Sequence, residues 1–121
     1  MNTLYGIKNC DTVKKARKWL EAHEIEYQFH DFRVDGLTTE MIENWFSIVS
    51  WESLVNKRST TWRQLDDARK EAIDEQSAAT LLLENPTLIK RPVLEIGSEV
   101  VVGFSEEDYL AATTLQAHLN R

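Results

Sequence analysis

The first 32 residues change periodicity twice, and this change constrains the fold more than any other feature of the chain. Residues 3–7 form a short apolar run, which is typical of a buried strand. From Thr12 to about His23 the apolar residues recur at helical spacing on an otherwise basic segment, which predicts an amphipathic helix. Residues 24–32 then alternate between apolar and polar, as a half-buried strand does. A strand, a helix and a strand within about 30 residues predict a βαβ unit with parallel strands and a right-handed crossover.

The middle of the chain is predicted to be helical. Residues 50–85 contain no glycine, and Pro86 ends the last helical pattern. Apolar spacing and capping residues predict four helices, over residues 38–49, 51–54, 61–65 and 74–84. We therefore expect a helical insertion at about residues 38–86.

The last third returns to strand periodicity. Residues 93–96 and 100–102 flank Gly97-Ser98, which predicts a hairpin with a two-residue turn. Ser105 is a suitable N-cap for a closing helix that begins at about residue 106. Together with the βαβ unit, this order predicts the α/β class with a thioredoxin-like fold: a four-stranded mixed sheet, flanking helices and the helical insertion. We predict a single domain over residues 1–121.

Charge and composition exclude several classes of function. The net charge of −6 argues against nucleic-acid binding, which depends on many Lys and Arg contacts to phosphate. No apolar run approaches the length of about 18 residues that a membrane span needs. The single cysteine permits no internal disulfide, which favours a reducing compartment. We expect a cytoplasmic monomer that binds neither nucleic acid nor membranes.

Cys10, the only cysteine, lies between the first strand and the first helix. The free N–H groups and the dipole of a helix N-terminus favour an anion, so a thiol at this position is favoured as the reactive thiolate. Lys8, Lys14 and Lys15 add to this effect, whereas Asp11 opposes it. A lone cysteine is also commonly a small buried apolar residue. Its position alone supports the two interpretations equally.

Two other segments are candidates for binding an anion. Pro92 stands at the start of a predicted strand, where a trans proline is the common form. In a thioredoxin-like sheet the loop before this strand lies beside the loop after the first strand, so Arg91 would approach Cys10 and bind an oxyanion or a carboxylate. The alternative is a solvated Lys-Arg pair. The polar segment 56–63 either donates hydrogen bonds to an anionic substrate or forms a solvated, capped turn.

Three segments, residues 5–16, 54–65 and 89–94, are distinctive together. With them the chain resembles the arsenate reductase (ArsC) family over essentially its whole length, and most closely the YffB branch related to Spx. The resemblance implies a thioredoxin-like fold, with Cys10 as the nucleophile and Arg91, before a cis Pro92, as its anion partner. No metal site is predicted, since His23 and His30 have no Cys or acidic partner at ligand spacing.

The chain departs from the family pattern at several positions. Residues 6–8 read Gly-Ile-Lys where the glutathione-coupled arsenate reductases have His-Asn-Pro, and Asn56 and Gly103 align with two of their three arginines. Arsenate reduction is therefore predicted to be weak or absent. Val13 stands where Spx has the second cysteine of its Cys-x-x-Cys switch, so no intramolecular disulfide can form.

The resemblance and the departures together predict a glutathione-dependent thiol oxidoreductase. Cys10 attacks a sulfur or an oxyanion, and glutathione is the expected co-substrate because no second thiol is present. A glutaredoxin is a further candidate partner, and no bound cofactor is expected. The predicted substrate-binding residues are Lys8, Asn56, Arg58 and Pro92, beside the catalytic pair Cys10 and Arg91. The alternative is a non-catalytic, Spx-like regulator that associates with RNA polymerase.

Overall fold

The computed structural model describes residues 2–119. The chain separates into two compact units, which are considered individually. The first contains the residues up to Gly36 and those from Arg91 onward, and the second contains Leu37–Lys90. In chain order the elements are β1 (Thr3–Gly6), α1 (Asp11–Ala22), β2 (Gln28–Asp31), α2 (Phe32–Asp35), α3 (Thr39–Phe46), α4 (Trp51–Leu54), α5 (Thr60–Gln64), α6 (Asp67–Glu71), α7 (Glu75–Glu84), β3 (Val93–Ile96), β4 (Glu99–Val102) and α8 (Glu106–Leu119).

The first unit contains a four-stranded mixed sheet in the order β2-β1-β3-β4. β1 runs parallel to β2 and antiparallel to β3, and β3 forms a hairpin with β4. The turn of this hairpin has Gly97 at a positive φ of 59°, which only glycine adopts at little cost. The predicted fold class, a mixed sheet with flanking helices in a thioredoxin-like arrangement, is confirmed. The single domain over residues 1–121 stays a prediction.

The core of this unit lies between the sheet and the two long helices. The apolar stripe of α1 is buried together with residues of β1, β3 and α8, and the cluster comprises Leu4, Val13, Ala16, Trp19, Leu20, Leu94, Ile96, Tyr109 and Ala112. The ring of Tyr109 meets that of Trp19 edge-on, with centroids 5.6 Å apart. Such aromatic contacts add to the apolar burial, so α1 is held firmly against the sheet.

The second strand is shorter than its alternating pattern predicts. Residues 24–32 alternate, but only Gln28–Asp31 form β2. The strand is this short because its partner β1 has four residues, and each residue of β1 pairs with one residue of β2. Asp31 then caps a short helix, since its Oδ1 accepts a hydrogen bond of 2.8 Å from the backbone N–H of Arg33. The prediction that residue 32 continues the strand is therefore wrong.

The second unit consists of short helices. The sequence patterns did not predict α6, which Asp66 caps through a hydrogen bond of 2.7 Å from the backbone N–H of Arg69. The middle of the unit is joined to its C-terminal end by backbone hydrogen bonds of 2.8 Å, from Asn56 N–H to the Leu88 carbonyl and from Lys90 N–H to the Leu54 carbonyl. In the described part of the chain, no helix is both long enough and apolar enough to cross a membrane.

Candidate active site

Cys10 is the N-cap residue of α1 and is half-buried. Its backbone is extended, with φ −110° and ψ 125°, and its carbonyl accepts a hydrogen bond of 3.0 Å from Lys14 N–H. Its side chain makes no capping hydrogen bond and packs against the edge of the apolar core. The thiol therefore lies at the N-terminus of a 12-residue helix, where free N–H groups and the helix dipole present the positive end of the helix.

Gly6 allows α1 to approach the end of β1. It is buried, and a Cβ atom added to it would lie 2.7 Å from Cγ2 of Val13, in the first turn of the helix. Real side chains do not tolerate such a contact, so any larger residue would displace the helix or the strand. The absence of a side chain at Gly6 therefore determines where the N-terminus of α1, and with it Cys10, lies.

Asp31 anchors the loop that leads to Cys10, a role that the sequence patterns did not predict. This carboxylate is 8% exposed and lies at the end of β2, directly opposite Gly6. Its Oδ2 accepts a hydrogen bond of 3.2 Å from the backbone N–H of Lys8, and its Oδ1 accepts the bond from Arg33. The sequence did contain a signal for this role, because Asp31 lies near the carboxyl end of a predicted parallel strand. The carboxyl ends of parallel strands meet at one edge of a sheet, and an acidic residue there can reach the neighbouring loop.

We expect Asp31→Ala to destabilise the protein. The backbone N–H groups of Lys8 and Arg33 would lose their acceptor in two partly buried hydrogen bonds, at a cost of about 2 kcal/mol in the free energy of unfolding. Urea unfolding measures this loss, and hydrogen exchange at the Lys8 amide reports whether the loop opens. Asp31→Asn is the matched control, since its one side-chain oxygen can serve only one of the two donors, and its loss should be intermediate. Wild-type stability and exchange in the alanine variant would show that Asp31 does not hold the loop.

Arg91 and Pro92 lie at the same end of the sheet as the Cys10 loop. Tyr5 of β1 pairs with Val93 of β3, so the antiparallel register leads to Pro92 at the end of β1 and to Arg91 just past it, toward the residues that precede Cys10. The peptide bond between Arg91 and Pro92 is cis. The carbonyl of Pro92 accepts a hydrogen bond of 2.8 Å from Gly103 N–H, so the residue after β4 also lies at this end of the sheet.

The guanidinium of Arg91 has donors for which the described part of the chain offers no acceptor. Its Nε and Nη1 atoms are buried and have no hydrogen-bond partner among the described residues. Buried donors without acceptors are unfavourable, and a charged guanidinium more so than a neutral group. The fork of Nε and Nη donors matches the geometry of a carboxylate or an oxyanion. This arrangement is well suited to a bound anion.

The remaining residues that were predicted to bind substrate are Lys8, Asn56 and Arg58. Lys8 is exposed in the loop before Cys10. Asn56 and Arg58 belong to the second unit, where the Asn56 side-chain oxygen accepts a hydrogen bond of 3.1 Å from Arg58 N–H. Ser59 Oγ caps α5 through the N–H of Trp62. The segment therefore forms the capped turn that was one of its two interpretations, and the substrate-binding role of Asn56 and Arg58 stays a prediction.

The two histidines with described side chains contact the backbone. His23 Nδ1 lies 2.8 Å from the Trp19 carbonyl oxygen, and His30 Nε2 lies 2.7 Å from that of Gly36. Nearby, burial and the Glu95 carboxylate raise the pKa of Tyr5 to about 12, so its hydroxyl stays protonated and donates to Glu95. Among the side chains that the structure describes, no group of three or more His, Cys, Asp or Glu could hold a metal ion.

Comparison with known proteins identifies the family of this chain. The pattern of the ArsC family matches residues 5–112. The chain belongs to the ArsC family. An uncharacterized protein of Haemophilus influenzae is 53% identical to it, over 93% of this chain and 98% of that one. The global transcriptional regulator Spx of Streptococcus pyogenes is 28% identical, over 92% of this chain and 84% of its own.

A solved structure of a protein called YffB is also similar to this chain. It superposes with a TM-score of 0.88 at 46% sequence identity, and the match covers 93% of this chain and 98% of that one. The predicted resemblance to the ArsC family, to its YffB branch and to Spx is therefore confirmed.

Proposed function

We propose that this protein is a glutathione-dependent thiol oxidoreductase in which Cys10 is the nucleophile. The observation that carries the proposal is the guanidinium of Arg91, at the sheet end where the Cys10 loop begins: its buried Nε and Nη1 have no hydrogen-bond partner among the described residues. A bound carboxylate or oxyanion would satisfy these donors beside a thiol at a helix N-terminus. Glutathione carries two carboxylates and a sulfur, and so supplies both partners.

In the proposed reaction the Cys10 thiolate attacks the glutathione sulfur of a mixed disulfide. The old S–S bond breaks, the substrate leaves as a thiolate that takes up a proton, and Cys10 becomes disulfide-linked to glutathione. A second glutathione thiolate then attacks this disulfide, which releases oxidised glutathione and restores the Cys10 thiolate. The second thiol must come from outside because the chain has one cysteine, and a glutaredoxin can also serve in this step.

Arg91 orients the glutathione, and exposed Lys8 attracts it to a chain of net charge −6. Pro92, which follows Arg91 through a cis bond, is a further candidate contact for the substrate, and Asn56 and Arg58 are further candidate ligands. A reducing cytoplasm would keep the single thiol free for this chemistry. Arsenate is expected to be a poor substrate, since the positions that align with two family arginines are Asn56 and Gly103.

Intact-mass measurement tests the proposal. Oxidised glutathione should add one glutathione mass to the wild-type protein and none to Cys10→Ser, because Cys10 is the only thiol. Added salt should slow the reaction, since screening weakens the attraction of glutathione to the local positive charge. If no adduct forms under conditions that modify an ordinary exposed thiol, the glutathione proposal fails.

The similarity to Spx favours a second candidate function, a non-catalytic regulator that binds RNA polymerase. This candidate does not require an activated thiol. Binding of purified RNA polymerase that is equal for the wild type and Cys10→Ser, together with no glutathione adduct, would support it over the oxidoreductase.

A further inference from the structure

The second unit contains an open groove of about 570 Å³ between α3 and α7. Apolar atoms of Phe46, Ala79 and Leu83 line it, together with Thr39, Ser47, Gln76 and Thr80. This volume is within the range of about 300–1,000 Å³ in which proteins bind ligands or insert partner side chains. None of the lining residues belongs to the proposed Cys10 site.

The charge at this groove has one sign. Glu43 and Glu75 are the charged residues among those that line it, one on each helix. The neighbouring sequence adds no positive charge, because residues 37–56 and 71–89 contain no Lys or Arg. The groove therefore combines apolar surface with a negative potential that no nearby cation of these segments neutralises.

We infer that the groove binds a cationic amphipathic helix from a partner protein. Leu or Met side chains of such a helix would fill the space between Phe46 and Leu83, while its Lys or Arg residues would meet Glu43 and Glu75. Helices of this kind dock into apolar grooves through residues spaced one turn apart. Ile48, which follows the groove residue Ser47 in the chain, is an exposed apolar side chain that such a partner could also contact. This interaction is additional to the proposed thiol chemistry.

The probe is a synthetic peptide with Leu on one helical face and Lys on the other, added to the isotope-labelled full chain. Amide signals of residues 39–47 and 75–83 should shift on binding. The double variant Glu43→Gln with Glu75→Gln should bind the peptide about tenfold more weakly, because two facing charges are lost. The matched control is Glu40→Gln with Glu84→Gln, which removes the same charge from exposed positions of the same two helices outside the groove.

Three results would overturn the inference. The control pair could weaken binding as much as the groove pair, which would indicate attraction to net charge alone. A peptide with Ser in place of Leu could bind equally well, which would show that the apolar surface is not used. Spermidine could compete at low concentration and shift the same signals, which would indicate a site for small organic cations.

Discussion

Arg91→Ala is expected to slow the reaction of Cys10 with oxidised glutathione by about 10- to 100-fold. The estimate corresponds to the loss of one hydrogen bond between charged groups, at about 1.5–3 kcal/mol. The fold should not weaken, because the Nε and Nη1 groups that are removed are buried and make no hydrogen bond to any residue that the structure describes. Alkylation of the unreacted Cys10 thiol stops the reaction at set times, and mass spectrometry of these samples gives the rate. Thermal unfolding checks the fold.

Two further variants make this measurement specific. Arg91→Lys keeps the charge but not the planar fork, so it should recover only part of the rate. Arg69→Ala removes the same charge from an exposed side chain of the second unit and should leave the rate unchanged. Equal rates in the wild type and Arg91→Ala would show that Arg91 does not bind the glutathione that reacts with Cys10.

Gly6→Ala is expected to lower the free energy of unfolding by about 2 kcal/mol. The new methyl group would lie 2.7 Å from Cγ2 of Val13, and both residues are buried. Replacing glycine by alanine also restricts the unfolded chain, which stabilises by about 0.4–1 kcal/mol, but the overlap is the larger effect. Because α1 carries Cys10 at its start, the reaction with oxidised glutathione should slow as well.

Val13→Ala provides the control for this clash. The single variant leaves a cavity and should itself be destabilised. In the double variant the Gly6 methyl group occupies part of that space, so the double loss should be smaller than the sum of the two single losses. Additive losses in urea unfolding would show that the two positions do not compete for the same space.

Periodicity was sufficient to predict the elements that surround the site. The change from period two to helical spacing placed Cys10 between a strand and a helix, and the resemblance indicated the cis bond at Pro92, where base rates alone favour trans. The role of Asp31 could not be predicted in the same way. It depends on the parallel register that sets Asp31 opposite Gly6, and this register is a property of the assembled sheet.

The lack of acceptors for the Arg91 donors could not be predicted from the sequence either. Whether an arginine lacks a partner depends on which acceptors the folded chain brings near it, and no local pattern contains that information. The length of β2 is a similar case, because it is limited by the four residues of its partner strand rather than by its own alternation.

At the N-cap position of α1, the residue that carries the thiol is not the one that would stabilise the helix most. Asp31, Thr38, Ser59, Asp66 and Asp74 each cap a helix through a side-chain oxygen, whereas Cys10 makes no such bond. The chain thereby forgoes about 1 kcal/mol of capping energy at the residue that carries its thiol. We therefore expect a Cys10→Ser protein to be more than an unreactive control: because its hydroxyl can cap α1, it should be more stable than the wild type in urea unfolding.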